Sequence, residues 1–285
     1  MKKIKRWMIL GALLAFCGCN HEESLLELNL YKFLYREKAP VNVQLYDSVS
    51  VLRRVPSAWQ LRNYAISNMA ELEYVPVEGD TLHVRLLEFS SDMSALAFFL
   101  NSGLVQESFP VVEGNFREIA MRGGRRLFVF RYGLLRNYER SELERFVQGF
   151  PNYRAGLPQE FLSLPISNRA IGQTSIQMRD FLGVESEFPM LILGYRGDDV
   201  FWNAARSWGS VPQDAWQVWV ANSRKLHRNV ALSADTVFFN AGAETRGAAL
   251  RLPDGRVVCV WGALSAENLR NHFQKAAQSV YDSPK

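Results

Sequence analysis

The chain predicts an α+β fold in which antiparallel sheets are covered by helices and two related halves follow one another. Three observations carry this. Short runs bounded by turn residues recur along the chain, several of them alternating as half-buried strands do. Gly123-Gly124 and Pro253-Asp254-Gly255 each separate two strand-like runs and read as hairpin turns. The order strand, helix, hairpin, helix occurs twice.

In the first half, Thr81–Phe89 alternates, with Leu82, Val84 and Leu86 on one face. Ser90-Ser91-Asp92 supplies side-chain oxygens that cap a helix carrying Met93, Leu96, Ala97 and Leu100, which Gly103 ends. Phe116–Met121 and Arg126–Tyr132 form the hairpin, and a helix over Ser141–Gln148 turns Leu143, Phe146 and Val147 inward. In the second half, Met190–Tyr195 is an apolar strand. Asp198 and Asp199 cap an expected helix bearing Val200, Phe201, Trp202, Ala204, Ala205 and Trp208, and Trp216–Ala221 is an expected strand. Ala248–Leu252 and Arg256–Trp261 form the second hairpin, and Ala266–Ala277 is the last helix. The hairpins align without gaps from Met121–Gly133 to Leu250–Gly262, Val129 lying on Val258, although their turns are displaced by one residue. The expected organisation is a signal over 1–18, an anchor-proximal linker with a first strand over 19–55, a first half over 56–150, a connector over 151–172 and a second half over 173–285. The stretch Asn20–Pro40 has the composition of a short amphipathic helix, but its apolar residues fit no single period.

The N terminus fixes the compartment. Lys2, Lys3, Lys5 and Arg6 precede one short apolar run, Met8–Phe16, in the order of a secretory signal. The run falls short of the roughly 20 residues a membrane span needs. Its exit, Phe16-Cys17-Gly18-Cys19, resembles a bacterial lipobox, with Gly18 as the small residue before an acylated Cys19. Phe16 departs from the usual Leu of that motif. Cys17 is a rival anchor, disfavoured by bulky Phe16 before it, and an ordinary cleaved signal is the plainer alternative. The expected partner is thus a lipid bilayer, reached through acyl chains on Cys19 that each contribute about 0.8 kcal/mol per buried methylene. Asn20 points to the outer membrane, and Glu22-Glu23 resemble the acidic patch of surface-exposed lipoproteins, so both leaflets stay open.

Cleavage also changes the charge. The signal carries four of the 33 Lys and Arg and none of the 29 Asp and Glu, so 29 of each sign remain. The basic balance belongs to the precursor and does not imply a nucleic-acid partner. After cleavage and anchoring, Cys259 is the one remaining thiol. It lies in an apolar run, Val257–Trp261, where a buried, inert role is expected.

No motif for catalysis, a cofactor or a metal is present. There is no H-E-x-x-H, C-x-x-C, G-x-S-x-G or phosphate-binding glycine loop, and His21, His83, His227 and His272 are not at metal-ligand spacing. His83 and His272 are expected on solvated faces. Arg122, Arg125 and Arg126 at the first hairpin read either as a solvated tip or as an anion contact. Trp202, Trp208, Trp216 and Trp219 read either as core or as a glycan-stacking platform.

The segment Asn63-Tyr64-Ala65-Ile66-Ser67-Asn68-Met69-Ala70-Glu71-Leu72-Glu73-Tyr74 resembles the tyrosine-isoleucine-asparagine-glycine-alanine-glutamate-x-tyrosine motif of a bacterial family, domain of unknown function 6599. Val84–Phe89 with the Ser91–Phe99 helix, Phe181-Leu182-Gly183 and the Arg251–Gly262 hairpin are similar as well, so the resemblance spans residues 55 to 280. Ser67-Asn68-Met69 departs from the asparagine-glycine pair at the motif's centre. The family is exported and often lipidated and has no established activity. The resemblance therefore implies a compartment and draws attention to Asn68, Glu71 and Tyr74 as a ligand or partner site, but names no reaction; the plainer alternative is that Glu71 caps or pairs locally and Tyr74 is core. Three function classes follow: a non-enzymatic binding or assembly lipoprotein with an envelope protein partner, a hydrolase pairing Glu71 with a second acid, and a glycan-binding module. Cys19→Ala is expected to abolish lipidation and release the chain from the membrane fraction, read by intact mass and fractionation; a variant still acylated and membrane-bound would exclude Cys19 as the anchor.

Overall fold

A computed structural model describes residues 23–54, 63–76, 81–101, 111–113, 116–132, 140–153, 159–197, 200–233, 235–240 and 244–283. The signal, Cys19, His21, Gly103, Asp198 and Asp199 lie outside the described residues. The fold is α+β. Among the described residues it comprises strands β1 (Asn42–Asp47), β2 (Ile66–Tyr74), β3 (Leu82–Phe89), β4 (Val111–Glu113), β5 (Phe116–Gly123), β6 (Arg126–Tyr132), β7 (Arg169–Gln177), β8 (Asp180–Phe181), β9 (Val184–Glu185), β10 (Met190–Arg196), β11 (Phe201–Ser207), β12 (Arg228–Ser233), β13 (Thr236–Asn240), β14 (Arg246–Arg251) and β15 (Val257–Gly262). The helices are α1 (Ser48–Arg54), α2 (Asp92–Asn101), α3 (Arg140–Gln148), α4 (Gln159–Leu162), α5 (Gln213–Leu226) and α6 (Ala266–Asp282).

Two antiparallel sheets share one plan. The first runs β1-β2-β3-β6-β5-β4 and the second β12-β13-β14-β15-β11-β10-β7. Read from the β1 and β7 edges, the strands enter in the same order. Each half also places a helix between its third strand and its hairpin, α2 or α5, and ends on another, α3 or α6. The β5–β6 turn centres on Gly124 and Arg125, because Gly123 pairs with Arg126. Gly124 has φ +58, and a Cβ there would lie 2.9 Å from the Asn152 carbonyl, so this corner needs glycine.

The ungapped alignment of the hairpins is out by one residue. Phe128 and Phe130 face α3, whereas Val258 and Val260 face α6. The structural equivalents are therefore Phe128 with Val258 and Arg126 with Arg256, since a slip of one residue moves a strand's side chains to the other face. Arg126 and Arg256 play matching parts. Arg126 Nη1 donates to Pro151 O (2.9 Å) just past α3, and Arg256 donates to Ser283 O and Tyr281 O (both 3.3 Å) at the end of α6. A cation there meets the negative end of the helix dipole.

Two elements differ in type from the sequence expectation. Residues 201–207 form a strand, not a helix. As the central strand between β10 and β15, β11 is buried on both faces, and such a strand shows no alternation. Residues 216–221 belong to helix α5. Trp216 and Trp219 have opposite strand parity, but with Ser223 they follow helical spacing onto one buried face. The 151–172 connector is more structured than expected, since it contains α4 and β7 begins within it at Arg169. The 23–40 stretch is an irregular arm of successive turns, with a 3-10 turn at Leu30–Lys32 and a bridge from Tyr35 to Lys38, rather than an amphipathic helix.

Helix α2 joins the halves. Ala95 and Phe98 pack into the core of the first sheet, while Leu96 and Ala97 pack into that of the second. Asn101 at its end donates to Ile176 O (2.8 Å) and accepts from Ile176 N (3.3 Å) on β7. Ser91 caps its start, its Oγ accepting from Ser94 N at 3.1 Å.

A buried ion pair fastens the arm. Glu88 is 1% exposed and Arg126 2%. The Glu88 carboxylate accepts from Leu25 N (3.0 Å), Asn68 Nδ2 (2.8 Å) and Arg126 Nε (3.1 Å), and Arg125 approaches to 3.3 Å. Arg126 Nη2 donates to Glu23 O (2.6 Å). The hairpin arginines are thus neither a solvated tip nor a cluster held out for an anion: Arg125 and Arg126 hold the arm, and Arg122 Nη1 donates to Gly124 O at 3.0 Å. Further along, Leu30 and Tyr35 bury against the same sheet face, and Phe33 stacks on Phe150 at 3.8 Å. Glu88→Ala is expected to cost about 3–5 kcal/mol in urea or thermal unfolding, because it strands a buried guanidinium. The apolar double replacement Glu88→Leu with Arg126→Met should cost less than either single change.

Candidate functional site

Strand parity decides where the expected site residues go. On β2, Asn68, Ala70, Leu72 and Tyr74 point to the face covered by the arm and α3, while Met69, Glu71 and Glu73 point to the opposite face. Asn68, Glu71 and Tyr74 therefore do not form one site. Asn68 is 9% exposed and is committed to Glu88 and to Ser24 Oγ (3.1 Å). Tyr74 is fully buried, and its hydroxyl donates to Phe33 O at 2.9 Å. Burial lifts its phenol well above the ordinary value. Both residues hold the arm. The segment Asn63–Tyr74 is mostly strand β2.

Glu71 belongs to a different arrangement. On its face of the sheet, one end is apolar: Met69, Leu87 and Leu127 lie under α1 and α2. The other end is polar and carries neither helix. Register places Gln44, Glu71, Arg85 and Val129 in one row and Asn42, Glu73, His83 and Arg131 in the next. With Arg54 from the end of α1 these residues line an open cleft of about 350 Å³. Glu71 Oε1 accepts from Arg85 Nη2 (3.0 Å) and Nε (3.3 Å), and Oε2 lies 3.2 Å from Arg54 Nη2. Tyr46 donates to the same Oε2 at 3.3 Å, and the Arg54 guanidinium lies over its ring, 5.0 Å from the centroid. Burial, and then the Glu71 carboxylate, raise the Tyr46 phenol above its ordinary value. The Glu71, Arg85 and Arg54 side chains are 26%, 38% and 53% exposed, so each pair is worth only about 0–1 kcal/mol to stability. The network's effect is to hold both charge signs in fixed positions on an open surface.

This geometry does not supply hydrolytic chemistry. Two-carboxylate hydrolysis sets one acid opposite another across the substrate. Glu71 and Glu73 stand two residues apart on one strand, and both Glu71 oxygens accept from guanidinium groups. The glycan platform also fails. Trp202, Trp216 and Trp219 are 6%, 2% and 1% exposed, and Trp208 is half-buried against the second core, so no two present open ring faces. Cys259 is fully buried, which pushes its thiol well above the usual range, as for an inert core cysteine. Among the described residues no cluster of three or more His, Cys, Asp or Glu could hold a metal ion. His83 is exposed in the cleft, as expected. His272 is not on an open face, because it stacks on Trp202 at 4.2 Å. Sequence reasoning missed Arg54, Arg85 and Arg131. The available signal was Glu71-x-Glu73 and His83-x-Arg85, charged pairs at strand spacing on neighbouring strands.

No protein-family model matches the chain, and no curated protein matches it. Among solved structures, a chain from the crystal structure of MucB in complex with MucA(peri) is 11% identical, with 79% of this chain and 70% of that one covered and a TM-score of 0.21. Crystal form III of TP0453 is 12% identical, with 80% and 92% covered and a TM-score of 0.23. Similarity at this level carries no inference about activity. Among the described residues no helix is long and apolar enough to cross a membrane.

Two histidines are expected to make stability pH-dependent. Burial lowers the imidazole of His227, whose Nε2 is enclosed without a hydrogen-bond partner; burial and then Lys275 lower that of His272. Both bind protons more readily unfolded, where the ordinary value is 6.5, so stability is lost as pH falls through and below that value. Urea midpoints are expected to drop from pH 7.5 to about 5.5, the acid side of the unfolded imidazole pKa, and His227→Phe should flatten that limb. An unchanged slope would contradict the assignment.

Proposed function

We propose that the protein is a lipid-anchored component of the bacterial envelope that binds, without catalysis, a partner protein through the mixed-charge cleft on the first sheet. The observation that carries this reading is the polar, open end of that sheet face. The other end of that face lies under α1 and α2, yet here Glu71, Arg85 and Arg54 are cross-linked to one another beside exposed His83 and Gln44. Side chains already fixed by their neighbours lose little freedom when a partner docks, which is the benefit of preorganisation. Alternating signs favour a partner segment that also carries both, and they disfavour a uniformly charged polymer, which would meet like charge in every row. The signal and lipobox support the compartment. The arm supports a short connection between anchor and domain.

A photo-crosslinker at Gln44 or His83, introduced into the acylated protein in its native envelope, is expected to capture one defined protein. The same probe at exposed Val218 on α5 should not. Arg85→Glu is expected to lower the crosslink yield at least about tenfold, roughly 1.4 kcal/mol, while leaving the fold intact. Equal capture from Val218, or an Arg85→Glu yield matching the parent, would exclude the cleft as the docking site.

A further inference from the structure

The arm and the cleft lie on opposite faces of the same sheet, and this determines how the anchored domain sits on its membrane. The arm turns Leu25, Leu30, Tyr35 and Pro40 inward. Its outward side carries apolar side chains that the described residues leave about half exposed: Leu26 is 46% exposed, Tyr31 55% and Leu34 52%. Lys32, exposed among them, can keep its ammonium in water while its stem lies along an apolar layer. Aliphatic groups with an aromatic residue and a lysine compose a surface suited to the boundary between headgroups and acyl chains.

The length of chain before the arm decides what covers this surface. Glu23 follows Cys19 by four residues, which span at most roughly 14 Å fully extended. Glu23 is not at liberty to drift, because Arg126 Nη2 and Arg125 Nη2 hold its carbonyl at 2.6 and 3.2 Å, and Glu88 holds the Leu25 N–H. An acylated Cys19 therefore draws the start of the arm, and with it the β5–β6 turn, to the bilayer surface. We infer that the outward face of the arm rests on the lipid bilayer, with Leu26, Tyr31 and Leu34 in its interfacial layer, so that the cleft on the other face of the sheet points away from the membrane. This rests on the lipid-anchor reading above and adds the orientation of the site. Residues 23–41 carry Glu23, Glu27 and Glu37 against Lys32, Arg36 and Lys38, so the contact is apolar rather than electrostatic and is indifferent to anionic lipid.

The test uses the acylated protein purified from membranes and reconstituted into vesicles of phosphatidylethanolamine and phosphatidylglycerol containing a doxyl-labelled lipid. Acylation blocks the Cys19 thiol and burial protects Cys259, so a single introduced cysteine, Leu34→Cys, Tyr31→Cys or Gln44→Cys, takes an environment-sensitive fluorophore selectively. Quenching by the lipid-borne doxyl group is expected to be several-fold greater from positions 34 and 31 than from position 44, and the same in vesicles of phosphatidylcholine alone. Equal quenching at all three positions, stronger quenching at 44, or none at any would overturn the orientation; the last would mean that the arm is covered by something other than lipid. Intact mass reads the anchor separately. An unmodified Cys19 would sink the anchoring reading and this inference with it, whereas acylated protein with the wrong quenching order would sink the orientation alone.

Discussion

The buried pairing of Glu88 with Arg126 is the constraint on which the first half depends. Placing a carboxylate and a guanidinium at 1% and 2% exposure is costly, because each leaves water for a medium that solvates charge poorly. The cost is offset because the ions' hydrogen-bonding capacity is used. Glu88 gathers donors from the arm, from β2 and from the hairpin, and Arg126 spends its own on Glu88, on Glu23 O and on Pro151 O. One site therefore ties the start of the arm, the end of α3 and two central strands. An apolar cluster could supply equal stability, but it would tolerate a shifted arm. The fixed donors and acceptors do not, and the position of Glu23 is the result.

That constraint explains what the distinctive sequence segment contributes to the structure. Asn68 and Tyr74 are six residues apart, so they share a strand face, and both engage the arm: Asn68 through Ser24 and Glu88, Tyr74 through Phe33. Glu71, at odd spacing from both, faces the other way. On sequence alone the three group together, because spacing carries no parity until the element type is known. Once the segment is known to be a strand, the alternation divides them between an architectural and a displayed set.

Other parts were legible to different degrees. The Ser91 cap, the hairpins and the last helix follow from local rules, a side-chain oxygen over free amides or a glycine at a tight corner, and these rules act over a few residues. The type of β11 depended on its being enclosed by two other strands, which no local window contains, and its Trp202-Asn203-Ala204-Ala205 run suits either element. Residues 213–226 were different. The spacing of Trp216, Trp219 and Ser223 is itself a helical signal, and it outranks the strand-like composition of Trp216–Ala221. The cleft was the least legible feature, since its rows are assembled from four strands and one helix end, and only register brings Gln44, Glu71 and Arg85 side by side.

The cleft exists because the two halves use the same plan unequally. In the second half α5 packs against its own sheet, together with Phe181 and Val184 of β8 and β9, while α6 covers the opposite face, so both faces are closed by apolar clusters. The corresponding helix of the first half, α2, divides its surface between the two sheets, Ala95 and Phe98 toward one and Leu96 and Ala97 toward the other. Serving as the joint, it cannot also lie along the whole face of the first sheet. The short helix α1 covers part of what is left, and the remaining rows are polar, with no helix packed on them among the described residues. Burying that end under a longer helix would have required apolar residues at 71, 85 and 131. The sequence has Glu71, Arg85 and Arg131 there instead, so joining the halves and leaving a charged surface open are consequences of one placement of α2.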